Sequence, residues 1–160
     1  MILPQPVKFE EYEFYQFALI GVFRCYESVV KNNRQETHGS KRETSWHRHI
    51  EGRVAEAAIA KLFNRYSGGL GMIFGPDLGK ITQVRQTDYK TGRLLVHDSD
   101  PDKHWFWLVT GSHGTYTVQG FMRGKEAKTF PIEEPQEGRP CHCVPISALI
   151  KDTKGVNWYD

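Results

Sequence analysis

Apolar positions recur with helical spacing in two N-terminal stretches of the chain and alternate as in strands further on. Residues 8 to 31 combine a broad apolar face with acidic residues in the first turns, which predicts a helix. That face consists of Phe9, Tyr12, Tyr15, Phe17, Leu19, Ile20, Phe23, Tyr26 and Val30. A second helix is predicted to begin after Ser45 and to end near Tyr66, because its apolar residues cover one wide arc. The polar stretch between the two, residues 32 to 45, is predicted to be a loop.

The remainder of the chain has the short alternating segments that are typical of β-strands. The stretches GMIFG, KITQVRQT, GRLLVHD, HWFWLVTG and TYTVQGFM follow one another with short turns between them, which predicts an antiparallel meander. In HWFWLVTG both faces are apolar, so helices are expected on each side of the sheet. The order of elements predicts the α+β class, a central mixed or antiparallel sheet flanked by helices, in a single domain spanning residues 1–160.

Composition agrees with a globular domain and adds little about partners. The chain has 160 residues, of which 39% are hydrophobic and 25% charged, enough for one domain with a sizeable core. Its net charge of +2 is too balanced to indicate nucleic acid by itself. No apolar run could span a bilayer, and the N-terminus lacks the order of a signal peptide. With an odd count of three cysteines, reduced thiols and a cytoplasmic location are expected, without a membrane partner.

Candidate chemistry gathers around the loop GPDLG and the strand after it. Gln83 and Arg85 project from one face of that strand, and Val84 points the other way. Asp77 lies in the loop, and a bend there would bring its carboxylate to the same strand. Glu56 falls at the edge of the apolar arc of the second helix. We therefore expect Glu56 to point along the sheet surface towards Asp77 and Gln83.

Two carboxylates and an amide oxygen suit Mg²⁺ or Mn²⁺, which prefer hard oxygen ligands. A cation at position 85 would position a phosphate or a water molecule. A plainer interpretation also holds for each residue alone. Glu56 would then be a solvated flank of its helix, Asp77 part of a turn, and Gln83 and Arg85 the wet face of a strand.

The order of these residues resembles the PD-(D/E)XK nuclease superfamily. A helix with GRVAEAAIAKLF precedes PDLGKITQVR, and the later stretches VQGFMRGKEAK and RPCHCVPISAL look like those of small phage-encoded members. The resemblance implies a restriction-endonuclease-like fold and divalent-metal-dependent hydrolysis of DNA phosphodiester bonds. Catalysis would fall to Glu56, Asp77, Gln83 and Arg85, with the first three holding Mg²⁺ or Mn²⁺. A phage-encoded protein would act in the host cytoplasm.

Two motif positions depart from that superfamily. Gln83 stands where an acid is usual, although members similar to the Mrr restriction enzymes also use glutamine there. Arg85 stands where lysine is usual, and arginine cannot lose its proton. Two alternatives therefore stay open, a catalytically inactive nucleic-acid-binding module of the same fold and a protein-interaction module.

Basic residues gather before and within the second helix, where a DNA backbone would lie if the chain is a nuclease. The candidates for this contact are Arg42, Arg48, His49 and Arg53. The alternative for the helix start, WHRH, is that Trp46 simply packs it against the core. A homodimer is also compatible with the sequence.

Overall fold

Helices and strands occupy largely separate parts of the chain, in agreement with the predicted α+β class. The computed structural model describes residues 1–31, 45–65, 76–135 and 138–159. Its elements are β1 (Gln5–Lys8), α1 (Glu11–Cys25), a π-helical turn (Tyr26–Lys31), α2 (Ser45–Leu62), β2 (Thr82–Thr87), β3 (Leu94–Val96), β4 (Trp105–Ser112), β5 (Thr115–Arg123), α3 (Gly124–Ala127), β6 (Ile132–Glu133), β7 (Cys141–Val144) and a 3₁₀ helix (Ile146–Ala148). Apart from Ser45, the predicted loop 32–45 lies outside the described residues, as does the predicted strand GMIFG. Within the described ranges, no helix is both long and apolar enough to cross a membrane.

The strands form two sheets rather than one. The larger has the order β1-β5-β4-β2, and the smaller has the order β3-β7-β6. The predicted antiparallel meander is wrong, because β2 pairs with β4 in parallel and β3 joins the smaller sheet. Leu94 and Val96 of β3 are fully buried, and they pack against Phe106 and Leu108 on one face of β4 rather than beside the strands of the larger sheet.

The larger sheet carries a different layer on each face. Trp107 and Val109 of β4 face helix α2, in the main hydrophobic core. Phe106 and Leu108 face the other way and pack with residues of the smaller sheet and α3. Helices were expected on both faces of the larger sheet, and this expectation is wrong for the face opposite α2. Both faces of β4 are buried as its sequence predicts, but a sheet supplies most of the second cover.

Helix α1 begins three residues later than predicted, because residues 5 to 8 form strand β1. Glu10 and Glu13 form a capping box at its start. Phe14, Phe17 and Ala18 pack against the main core. Much of the predicted apolar face instead points to solvent, and its exposed members are Tyr12, Tyr15, Leu19, Phe23 and Tyr26.

Helices α1 and α2 touch backbone to backbone at Gly21. A Cβ atom added there would lie 2.6 Å from the Cα of Ile50 and 2.7 Å from the carbonyl oxygen of His49. Because backbone atoms cannot swing aside, any side chain at this position would push the helices apart. The contact fixes how closely α2, which carries Glu56, approaches α1.

We expect Gly21→Ala to lower the free energy of unfolding by about 1–3 kcal/mol, despite the better helix propensity of alanine. Gly52→Ala is the matched control, because a Cβ added at Gly52 has nothing within 4 Å. That variant should gain about 0.5–1 kcal/mol. Urea denaturation of both variants measures the difference, and equal effects would contradict the close contact.

Candidate functional site

Glu56 lies on the core side of α2 and is clamped by two arginines. Its Oε1 accepts a hydrogen bond of 2.7 Å from Arg24 Nη1, which reaches across from α1. Its Oε2 accepts one of 2.9 Å from Arg53 Nη1, one turn earlier on α2. The side chain of Glu56 is only 8% exposed, so the carboxylate is an internal group rather than a solvated flank of the helix.

Asp77 is folded back onto strand β2 by a tight turn. Its backbone N–H donates to the carbonyl of Thr82 over 2.8 Å, and its Oδ2 accepts the N–H of Val84 over 2.6 Å. Gly79 has φ +55°, a conformation that favours glycine, and a Cβ there would collide with the carbonyl of Tyr159. The turn that the sequence GPDLG predicts is therefore present, and the C-terminal segment packs directly on it.

The pKa values of Glu56 and Asp77 are both raised above their ordinary values. Burial, followed by the negative charge of Asp77, raises the pKa of Glu56 to about 7, against the opposing effects of Arg24 and Arg53. Burial also raises the pKa of Asp77, although the Val84 amide and nearby arginines oppose this. Acids with raised pKa values, here buried Glu56 and half-buried Asp77, mark a candidate functional site.

Gln83 and Arg85 lie on the face of β2 that points away from α2. They are in register with Phe106 and Leu108, whereas Val84 is in register with Trp107 on the helix side. The Arg85 guanidinium lies 5.2 Å from the centroid of the Phe106 ring. The charge of Arg85 on this face and those of Arg24 and Arg53 on the helix side all oppose the rise in the pKa of Asp77, so its carboxylate lies near both groups. Glu56 and Gln83 therefore lie on opposite faces of β2, whereas the sequence predicted that Glu56 points along one sheet surface towards both Asp77 and Gln83.

Arg85 is held by an acid that sequence analysis did not single out. Its Nη2 donates to both carboxylate oxygens of Asp100, at 3.0 and 2.9 Å. Burial opposes ionisation of Asp100, but the charge of Arg85 and the amide of His97 outweigh it and lower the Asp100 pKa. The stretch HDSDPDK offered several acids, and its sequence alone did not distinguish this one.

Arg24 is the other partner that sequence analysis missed. A signal was present, because Arg24 is a lone charge in the apolar stretch FALIGVFRC, and buried charges in such places are normally paired. The periodicity of α1 identified an apolar face without indicating that a basic side chain beside it would reach into the core.

The residues expected to contact DNA occupy different environments. Arg53 is buried and its guanidinium lies over the Phe17 ring, so it is part of the interior of the site. Arg48 and His49 are half-buried at the start of α2. Burial and the charge of Arg139, from the loop before β7, lower the pKa of Arg48. Arg139 is thus a further basic residue near this helix start, and Arg42 lies outside the described residues.

Carboxylate oxygens are the ligands that hard cations such as Mg²⁺ prefer. A divalent ion beside Glu56 and Asp77 would favour their charged forms, against the burial that raises both pKa values and the Asp77 charge that raises that of Glu56. Across the described ranges, no group of three or more His, Cys, Asp or Glu side chains could hold a metal. An ion between Glu56 and Asp77 would therefore need further oxygen ligands such as water molecules. The amide oxygen of Gln83 starts from the opposite face of β2 and would have to reach around the edge of this strand to join them.

Comparison with protein-family models, with curated proteins and with solved structures finds no match to this chain. Similarity to known proteins thus assigns it to no family. Its function has to be argued from the geometry of this site and from the order of the motif residues.

The raised pKa of Glu56 predicts a pH-dependent stability. Between about pH 4.5, the ordinary value, and about pH 7, the folded chain holds a proton that the unfolded chain has released. The contribution of Glu56 to the free energy of unfolding therefore falls as pH rises through this window. Glu56→Gln should remove that decline, so that its stability between pH 5 and pH 8 varies less than that of the native chain.

Urea denaturation at several pH values provides the measurement. Glu133→Gln serves as the control, because Glu133 is an exposed carboxylate on the smaller sheet. It should keep the native pH dependence, and the same dependence in Glu56→Gln would contradict the assignment.

Proposed function

We propose that this chain is a divalent-metal-dependent nuclease that hydrolyses DNA phosphodiester bonds, with a restriction-endonuclease-like fold of the PD-(D/E)XK type. The observation that carries the proposal is the pair of carboxylates with raised pKa values, buried Glu56 and half-buried Asp77, at motif positions beside an outer strand. The proposed setting is the cytoplasm, that of a host cell if the protein is phage-encoded. The free, buried thiols of Cys25, Cys141 and Cys143 support a reducing compartment.

In this proposal Glu56 and Asp77 bind Mg²⁺ or Mn²⁺, and the carbonyl of Gln83 assists them by reaching around the edge of β2 from the face opposite α2. When bound, such an ion supplies activation of water and stabilisation of the charge on the phosphate. Arg24 and Arg53 hold the Glu56 carboxylate in one orientation. Asp100 does the same for Arg85, whose permanent charge would attract a phosphate.

The DNA backbone would lie along the start of α2. Arg48 and His49 are half-buried there, and the charge of Arg139 reaches Arg48 from another part of the chain. Like charges brought together in this way attract an anion that lies between them. Arg42 belongs to the same proposal by its sequence position.

A catalytically inactive nucleic-acid-binding module is the second candidate, and one observation favours it. The acids Glu56 and Asp100 already have guanidinium partners, Glu56 with Arg24 and Arg53 and Asp100 with Arg85. A cation would then have to share the Glu56 carboxylate with two arginines, which weakens its binding. Such a module would bind DNA with the same surface and would bind no metal.

Titration of Mn²⁺ by calorimetry separates the two candidates. The nuclease should give a saturable heat that Asp77→Asn reduces strongly. Asparagine keeps a hydrogen-bond acceptor for the Val84 N–H and removes the charge. An absence of metal-dependent heat in the native chain would leave the non-catalytic module as the surviving candidate.

We expect Gln83→Glu to bind Mn²⁺ about tenfold more tightly than the native chain, equivalent to about 1.4 kcal/mol. The exchange is nearly isosteric and adds a negative charge near a doubly charged ion, where burial limits screening. Pairing it with Arg85→Lys restores the usual motif and should give the largest rise in cleavage of a DNA substrate. Gln5→Glu is the control, because it adds the same charge on β1, at the opposite edge of the larger sheet. Equal affinities in all of these variants would contradict the metal site.

DNA binding has a separate test that does not depend on metal. Arg48→Gln should weaken binding of labelled duplex DNA in EDTA and lower the slope of log affinity against log salt by about one. Arg93→Gln is the matched control, because Arg93 pairs with Glu133 on the smaller sheet. If both variants lose affinity equally, the DNA contact is not at the start of α2.

A further inference from the structure

The outward side of α1 carries a stripe of large apolar residues that no part of the described chain covers. Its members and their exposed fractions are Tyr12 71%, Tyr15 61%, Leu19 55%, Phe23 46% and Tyr26 51%. At 100° per residue they fall within an arc of roughly 80° and extend for about 21 Å along the helix axis. Exposed positions on a helix usually carry polar residues, so a continuous apolar stripe of this size marks an interaction surface. These five residues form the α1 stripe.

The α1 stripe is symmetric about its centre. Leu19 is its middle member, Tyr15 and Phe23 lie four residues to either side, and Tyr12 and Tyr26 lie seven residues to either side. When two copies of this helix pack antiparallel about a two-fold axis at Leu19, Tyr15 meets Phe23 and Tyr12 meets Tyr26. Each residue therefore meets one of similar size and character, as an isologous interface requires. Antiparallel packing also places opposite ends of the two helix dipoles side by side.

The exposed area is sufficient for a modest dimer. Aromatic side chains bury roughly 200 Å² each, so the exposed fractions amount to about 550 Å² per copy and about 1,100 Å² in a pair. Specific interfaces bury upwards of about 1,000 Å² in total. The stripe thus reaches the lower end of that range, which corresponds to association that depends on protein concentration.

From this symmetry and area we infer that the chain forms a two-fold symmetric homodimer through the α1 stripe, with the two helices antiparallel and Leu19 on the axis. The opposite side of α1 packs against α2, so the dimer forms without rearranging the core. Glu11 and Lys31 lie beyond the two ends of the stripe and make contacts within their own chain, with Tyr15 and Glu27 respectively. The interface is therefore apolar along its length and polar at both ends.

Sedimentation velocity of the full chain from about 1 to 200 μM tests the association, since interfaces of this class span micromolar and tighter affinities. The native chain should shift from one copy towards two as its concentration rises. Leu19→Glu and Leu19→Lys each place like charges against each other on the axis and should weaken association at least tenfold. An equimolar mixture of the two should restore a dimer, because the opposed charges are then unlike. Ile132→Glu, at an exposed apolar residue of β6, is the control and should associate like the native chain.

Cysteine cross-linking tests the register. Leu19→Cys should form a disulfide-linked dimer under mild oxidation, whereas the native chain, whose cysteines are buried, should not. Tyr15→Cys should cross-link with Phe23→Cys in a mixture but not with itself, since antiparallel helices place position 15 opposite position 23. Circular dichroism checks that each variant folds. A native chain that stays monomeric at every concentration, association insensitive to the Leu19 charges, or self-linking of Tyr15→Cys would each overturn the inference.

Discussion

A buried negative charge on α2 constrains the structure around the candidate site. Glu56 is nearly inaccessible to solvent, and an isolated carboxylate there would be strongly unfavourable. Its partners come from two helices, Arg53 from α2 itself and Arg24 from α1, so the charge is compensated only when both helices are in place. The close contact at Gly21 then holds the helices at the separation that Arg24 spans. Even with these partners the pKa of Glu56 stays high, because burial disfavours the charged form and Asp77 adds a second negative charge to the region.

Helix α1 contacts the candidate site on its inner side and solvent on its outer side, so it connects the site with the inferred dimer interface. Its inner side supplies Arg24 to Glu56 and packs Phe17 beneath Arg53. Its outer side carries the stripe through which we infer that two copies meet. Two candidate sites would then lie on the same dimer, each one helix away from the two-fold axis. A duplex has two strands of opposite direction, and a two-fold arrangement of sites matches that geometry.

The sequence predicted local features better than it predicted partners. Helical spacing placed Glu56 at the border of an apolar arc, and the loop GPDLG indicated the turn that brings Asp77 back to β2. Alternation showed that Gln83 and Arg85 share a face, but it could not say that this face points away from α2, since it does not identify the strand that pairs with β2. For the same reason the parallel pairing of β2 with β4 was missed. The apolar residues of α1 were recognised, yet their spacing does not reveal which of them another element covers.

The hydrogen bond from Val84 to Asp77 also bears on aggregation. Among the described strands, β2 is the last on its side of the larger sheet, and outer strands offer free backbone groups to other chains. The Asp77 carboxylate occupies one of those amides and places a charge in the path of an incoming strand. The residue that is the candidate metal ligand thereby protects a vulnerable edge. Selection for solubility alone could retain an aspartate here, so its presence in related chains would not by itself demonstrate that they cleave DNA.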